Sequence, residues 1–413
     1  METWWKKLGP GLVTGASDDD PSGIATYSIG GAQTGYRLLW LALYTIPLMI
    51  VIQETCARIG IVTGNGLAGT IRRHYNRWLL IPVAILLIGA NTLNIGADLH
   101  GMASASALLV PLPEWLLALL FVAVIVVLLI RFPYDKIARA LKWLTISLFT
   151  YVAAAFVTHQ DWLQILWSTF VPQLRTLSGD SAVVVAVLGT TISPYLFFWM
   201  ASEEVEEHEG RSAGGGVPPS KAMELKGMRE DVGWGMAFSN IIMFFIIATT
   251  ASVFFGRGLN PGSSIAEVAS ALRPLAGNAA FLLFALGVVG TGLLAIPVLA
   301  GSSAYVLTEA LGLRGGLSKK FHEAKAFYGT IIFSGAVGFL MTLSGYGAVY
   351  MLFATAVVYG VISPPLIAVI LHIANNRTVM GEYRNGWIAN LFGFLTLAVM
   401  TAAAVVLFTH LSP

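Results

Sequence analysis

The sequence predicts an all-α polytopic membrane protein, an inverted repeat of two five-helix halves plus an eleventh helix. Three observations predict it. Of the 413 residues, 56% are hydrophobic and only 11% charged, where a soluble domain carries about 25%. Apolar runs long enough to cross a bilayer recur from end to end. Two of these runs, each opening one half, are broken by small polar residues and a proline, the pattern that marks inverted repeats with a binding site at the bilayer midplane.

Eleven spans are expected, at about 9–33, 38–63, 78–109, 114–131, 140–158, 181–200, 232–255, 276–310, 327–346, 348–374 and 385–410. They form a single transmembrane domain over residues 1–413, with one repeat at about 9–158, the second at about 181–374 and the extra helix at about 385–410. The first span is read as retained, because no small-residue cleavage site follows it. With the N-terminus inside, twenty of the 24 Lys and Arg residues fall in inner segments and four (Arg37, Arg175, Arg257, Arg273) in outer ones. That bias follows the positive-inside rule and puts the N-terminus in the cytoplasm and the C-terminus outside, in a multi-pass protein of the cell membrane. The segment 201–231 reads as an inner loop, with Glu203, Glu204, Glu206, Glu207 and Glu209 at its start and a Gly- and Pro-rich stretch near 212–219. The glutamates are either a solvated face or an acidic inner vestibule.

The first broken run carries Ser17-Asp18-Asp19-Asp20-Pro21-Ser22-Gly23. A carboxylate at a helix centre costs about 2.5–3.5 kcal/mol on insertion scales, so three in one span need a reason. Pro21 lacks an N–H and Gly23 tolerates unusual backbone angles, so the helix unwinds here and frees carbonyls beside the carboxylates. Asp18 and Asp19 either join the site or sit in the aqueous mouth of a kinked helix. The second broken run carries Gly189-Thr190-Thr191-Ile192-Ser193-Pro194-Tyr195.

Brought together, the breaks offer the Asp20 carboxylate, the Ser193 hydroxyl and carbonyls from Ser17 and Thr190, with no Lys or Arg near either. An anionic, oxygen-rich pocket selects a cation. Oxygen without thiolate, thioether or imidazole suits Mg²⁺, Mn²⁺ or Ca²⁺, and few carboxylates suit Mg²⁺, which keeps several of its waters. Small residues such as Gly23 leave room for such a hydrated ion. Asp98, Tyr195 and Thr355 are further pathway candidates along with Asp19. Thr355 also reads as an ordinary helical threonine, and His100 as an interhelical hydrogen-bonder. Pro364 and Pro365 are expected to kink the tenth span, and Glu54 with Arg58 to form a structural ion pair. The single Cys56 excludes an internal disulfide, the net charge of +2 gives no ground for a nucleic-acid partner, and no enzyme or cofactor signature is present.

Several motifs resemble the Nramp family of divalent-metal transporters, and more narrowly its magnesium-transporting branch. Gly9-Pro10-Gly11 with Asp20-Pro21-Ser22-Gly23-Ile24-Ala25-Thr26 resembles the family's first helix. Gln53-Glu54, Ala57 to Gly64 and Leu67-Ala68 resemble its second, Ala97-Asp98-Leu99 part of its third, and Gly189 to Pro194 its sixth. The resemblance implies the LeuT architecture and alternating access. It puts Asp20 on the metal-binding aspartate and Ser17 and Thr190 on carbonyl donors. The chain departs from the family where a binding asparagine is Gly23, a binding methionine is Ser193, a histidine is Tyr195, and two glutamates of the third helix are Asn91 and Gly101. Losing the thioether favours hard ions, and losing the histidine and glutamates removes most of a proton relay. The expected function is import of Mg²⁺, with Mn²⁺ as a further substrate, as a partly hydrated ion with weak or no proton coupling. The alternatives are a proton-coupled Mn²⁺ or transition-metal transporter of the ordinary Nramp kind, a sodium-coupled organic-solute transporter, and a metal-sensing scaffold. The expected partners are the metal ion and the lipid bilayer, in a monomer.

Overall fold

The computed structural model describes residues 10–132, 148–158, 160–173, 181–213, 220–256, 264–273 and 277–411. Every regular element among them is helical. Among the described residues, nine helical stretches are long and apolar enough to cross a membrane.

The first expected span is two helices, α1 (Pro10–Asp18) and α2 (Pro21–Thr34). After a 3₁₀ turn come α3 (Leu39–Thr63), the short α4 (Leu67–His74), α5 (Arg77–Ala107) and α6 (Glu114–Arg131). Of the fifth span only α7 (Phe149–Val157) is described, and its expected start at 140–147 lies outside the described residues. A short helix, α8 (Trp162–Phe170), leads to the second broken span, α9 (Ser181–Thr191) and α10 (Pro194–Ala213). Then follow α11 (Lys221–Phe254), α12 (Ile265–Ser270), α13 (Ala280–Leu311) and α14 (Lys325–Thr342). The chain closes with α15 (Ala348–Asn375), α16 (Arg377–Met380) and α17 (Trp387–Leu411).

The segment 201–231 differs from its expectation as a loop. Helix α10 runs through all five glutamates, and α11 starts at Lys221, capped by the Ser220 hydroxyl on the Met223 N–H. Glu, Lys, Met and Ala are strong helix formers, so charge alone does not end a helix. The Gly- and Pro-rich residues 214–219 lie outside the described residues. Glu206 is spent on structure: its carboxylate accepts from the Tyr305 hydroxyl at 2.8 Å and the Ser318 N–H at 3.0 Å. The ninth span ends at Thr342, ahead of Gly345 at φ +82°. Pro364 and Pro365 do not end α15, which stays helical through both.

Two close crossings position the broken helices. A methyl group added at Gly15 on α1 would lie 2.2 Å from the Gly235 carbonyl oxygen of α11. One added at Gly189, on the last turns of α9, would lie 2.2 Å from the Ala356 carbonyl oxygen of α15. Only glycine lets the backbones approach this closely, which is how membrane helices pack without a hydrophobic drive between them. The same crossings hold each half-helix end against a continuous helix.

Candidate functional site

The first break is a helix start with its cap in place. Asp20 has the extended backbone of an N-cap (φ −68°, ψ 172°), and its Oδ1 accepts from the Gly23 N–H at 2.6 Å. Pro21 stands at the first helical position, where its missing N–H has no intrahelical role. Sequence therefore explains both why α1 stops and why α2 begins. Asp20 Oδ2 accepts from Asn94 Nδ2 at 2.8 Å, and the same nitrogen reaches Asp98 Oδ2 at 3.4 Å. All three side chains are buried. Asp98 Oδ1 and Asn94 Oδ1 have no hydrogen-bond partner among the described residues.

Asp18 and Asp19 are both fully buried, so neither lies in an aqueous mouth. They face α11, where the Ser239 hydroxyl donates to Asp18 Oδ2 at 2.8 Å and stands 3.4 Å from Asp19 Oδ1. Asp18 Oδ1 and Asp19 Oδ2 are without a partner among the described residues.

The second break is closed by hydroxyls. Ser193 Oγ donates to the Thr190 carbonyl at 2.6 Å, and Ser363 of α15 donates to the Ile192 carbonyl at 3.1 Å. The Tyr195 hydroxyl crosses to the other break and donates to the Ser17 carbonyl at 2.8 Å. Tyr27 OH and Thr191 Oγ1 are 3.2 Å apart. A methyl group on Gly23 would sit 3.3 Å from both the Asp18 carbonyl and Thr190 Oγ1. The two breaks thus meet, with Gly23 at the contact. Ser17 and Thr190 each give one carbonyl lone pair to a hydroxyl, and each oxygen keeps a second. Thr355 donates to the carbonyl of Leu352 in its own helix at 2.9 Å, and Ser22 donates to the same oxygen at 3.0 Å.

The electrostatics are one-sided. Among the described residues no salt bridge reaches Asp18, Asp19, Asp20 or Asp98. The one buried Lys or Arg among the described residues, Arg58, is occupied elsewhere: it lies 4.0 Å from Glu54 and bonds Asn385. Glu54 has a closer partner in Arg229, at 2.8 Å. No three His, Cys, Asp or Glu side chains among the described residues converge on one ion-sized position.

Positions 91 and 101 are structural. Asn91 accepts from the Tyr359 hydroxyl at 2.9 Å and donates to Ser303 Oγ at 3.1 Å. A methyl group on Gly101 would lie 3.0 Å from a terminal methyl of Leu352 and 3.5 Å from Pro21, so a longer side chain there requires Leu352 to give way. Asn94 and Ser239 are the site residues that sequence reading passed over. Asn94 carried a usable signal, since it lies one helical turn before Asp98. Ser239 carried none, since 220 positions separate it from Asp19.

This is a multi-pass integral membrane protein in which two unwound helices meet at a buried anionic site. Solved structures share its fold. A manganese transporter of Eremococcus coleocola, in complex with an aromatic bis-isothiourea substituted compound, superposes with a TM-score of 0.80 at 18% identity, over 98% of this chain and 87% of that one. The inward-facing conformation of Mhp1 gives 0.56 at 13% identity, over 98% and 91%. In sequence, the divalent metal cation transporter MntH of Pectobacterium carotovorum subsp. carotovorum (strain PC1) is 26% identical over 95% of this chain and 92% of its own length. MntH of Granulibacter bethesdensis is 23% identical over 95% and 86%. Residues 11–410 match the family described as Nramp, natural resistance-associated macrophage protein-like. The chain belongs to the Nramp family.

Proposed function

We propose that this protein carries divalent metal cations across the cell membrane by alternating access, with the ion held between the two helix breaks. The single observation that carries the reading is the Asp20 carboxylate, buried where the breaks meet and answered by no basic residue among the described ones. Related proteins named as divalent metal cation transporters support it. Manganese is the first ion to expect, as in the name of the Eremococcus protein. In this reading the protein is a transporter and not an enzyme, its N-terminus is cytoplasmic, its C-terminus lies outside, and it works as a single 413-residue domain of two repeats and an extra helix.

A second reading, Mg²⁺ import with weak or no proton coupling, is favoured by one specific feature. The acceptor groups at the breaks are oxygens, with Ser193 and Tyr195 in place of softer ligands, and oxygen donors suit Mg²⁺ as well as Mn²⁺. Asn91 and Gly101 are neutral where a relay would need acids. A membrane potential of about 100 mV contributes roughly 2.3 kcal/mol per charge, or about 4.6 for a divalent ion, so uptake down this gradient needs no proton.

Both readings are tested in liposomes loaded with a metal-sensitive dye and a pH dye. The main reading expects Mn²⁺ flux with lumen acidification. Mg²⁺ flux at steady lumen pH would instead support the second reading. Absence of flux for both ions, or flux unchanged in Asp20→Ala, would refute the proposal.

A further inference from the structure

A cavity of about 660 Å³ lies where the C-terminal end of α5, the start of α6 and the start of α15 come together. Its charged lining is one acid, Glu114, beside His100 and Ser104, with Tyr346 and Tyr350 stacked on the opposite wall. His100 stands at the floor, 7% exposed, and is bonded from both ring nitrogens. Nε2 lies 3.0 Å from Glu114 Oε2, whose same oxygen accepts from the Ser104 hydroxyl at 2.6 Å. Nδ1 lies 3.4 Å from the sulfur of Met351, which is 6% exposed.

A neutral imidazole whose Nε2–H points at a carboxylate leaves Nδ1 as a bare lone pair. In that tautomer the Nδ1 lone pair and the sulfur of Met351 stand 3.4 Å apart, two donors available to one ion. A carboxylate behind a histidine, fixing its tautomer and orientation, is the usual outer shell of a metal-binding imidazole. The spacing also fits. Bonds of about 2.1 Å to nitrogen and, for a neutral thioether, at least the about 2.3 Å of a zinc thiolate put the two ligand atoms roughly 3.6 Å or more apart at a tetrahedral angle, within a small rotation of the Met351 side chain.

We propose that His100 Nδ1 and Met351 Sδ, with Glu114 orienting the ring, form a second cation site at the floor of this cavity, selective for softer divalent ions such as Zn²⁺ or Cd²⁺. It is chemically unlike the oxygen-rich breaks, because imidazole and thioether disfavour Mg²⁺. It also neighbours the breaks along two helices. Met351 precedes Leu352, whose carbonyl accepts the Ser22 hydroxyl, and His100 follows Asp98 by two residues on α5.

The test uses full-length Asp20→Ala protein in detergent, so that the site at the breaks is disabled whether or not it transports. Zn²⁺ titrated calorimetrically is expected to bind one site per chain. X-ray absorption fine structure is expected to show one sulfur neighbour at about 2.3 Å or longer. Adding Met351→Leu, which keeps the volume, is expected to remove that sulfur signal and weaken binding about tenfold or more, as loss of a soft ligand should. Adding Glu114→Gln is expected to weaken it about 10- to 100-fold. Adding His100→Ala abolishes it. No Zn²⁺ bound by Asp20→Ala, a shell of only nitrogen and oxygen, or binding unmoved by Met351→Leu would each overturn the site.

Discussion

Asp20 does two jobs with one carboxylate. Oδ1 caps the α2 N-terminus through the Gly23 N–H, and Oδ2 is held by Asn94. The cap is local and costs the chain no freedom that the helix start would not already take. The Asn94 contact spans 74 positions and fixes the direction in which Oδ2 points. Removing it in Asn94→Ala leaves a buried carboxylate oxygen without its donor and lets the ligand rotate. Support of this kind behind a ligand is typically worth about 10- to 100-fold in metal affinity. The expected outcome is a fall of that size in Mn²⁺ affinity by calorimetry, with a near-normal melting temperature, whereas Asp20→Ala removes binding. At this scale the sequence was only partly informative. That the stretches around Asp20 and Ser193 meet was readable because both breaks stand out in the sequence. The hydroxyls that now occupy Ser17 and Thr190, from Tyr195 and Ser193, were not, because spacing along a chain does not say which way a hydroxyl turns.

Between helices, one acid holds the end of the bundle where α4, α10 and α13 meet. Glu309, near the C-terminal end of α13, accepts from the Ser202 hydroxyl of α10 at 2.7 Å and from the Gly69 N–H in the first turn of α4 at 2.8 Å. It thereby pins three elements, and α4 is only eight residues long, too short to be stable alone. A hydrogen bond typically contributes about 0.5–1.5 kcal/mol, and a buried donor left unpaired costs about 1–3 kcal/mol. Glu309→Ala is expected to lower thermal stability measurably and to make the 64–76 segment the first to exchange its amide hydrogens, as read by mass spectrometry. Unchanged protection of α4 in that variant would contradict the assignment. Helix existence was largely legible: the spans at 38–63, 114–131 and 348–374 match α3, α6 and α15 within a residue or two. The extension of α10 and α11 into residues 201–231 was missed because charge was read as loop, while helix propensity went on through Glu, Met and Lys. Short helices such as α4 were missed because they carry no membrane-length signal.

For the whole molecule, the account rests on geometry that joins distant halves. Tyr195 to Ser17, Tyr27 to Thr191, and Gly23 against Thr190 bring together segments more than 160 positions apart. The paired prolines at positions 21 and 194 made this architecture legible, since two interrupted spans in matching places are hard to explain otherwise. The identity of the ion was not legible to the same degree. It depends on how many waters the ion keeps and on which carbonyl lone pairs turn toward it. The most direct measurement is anomalous diffraction from crystals grown with Mn²⁺, for the unaltered protein and for Asp20→Ala. The account predicts a peak within bonding distance of the Asp20 carboxylate, beside Thr190, in the first and none there in the second. A peak at the breaks that persists in Asp20→Ala, or no peak at the breaks in the unaltered protein, would contradict it.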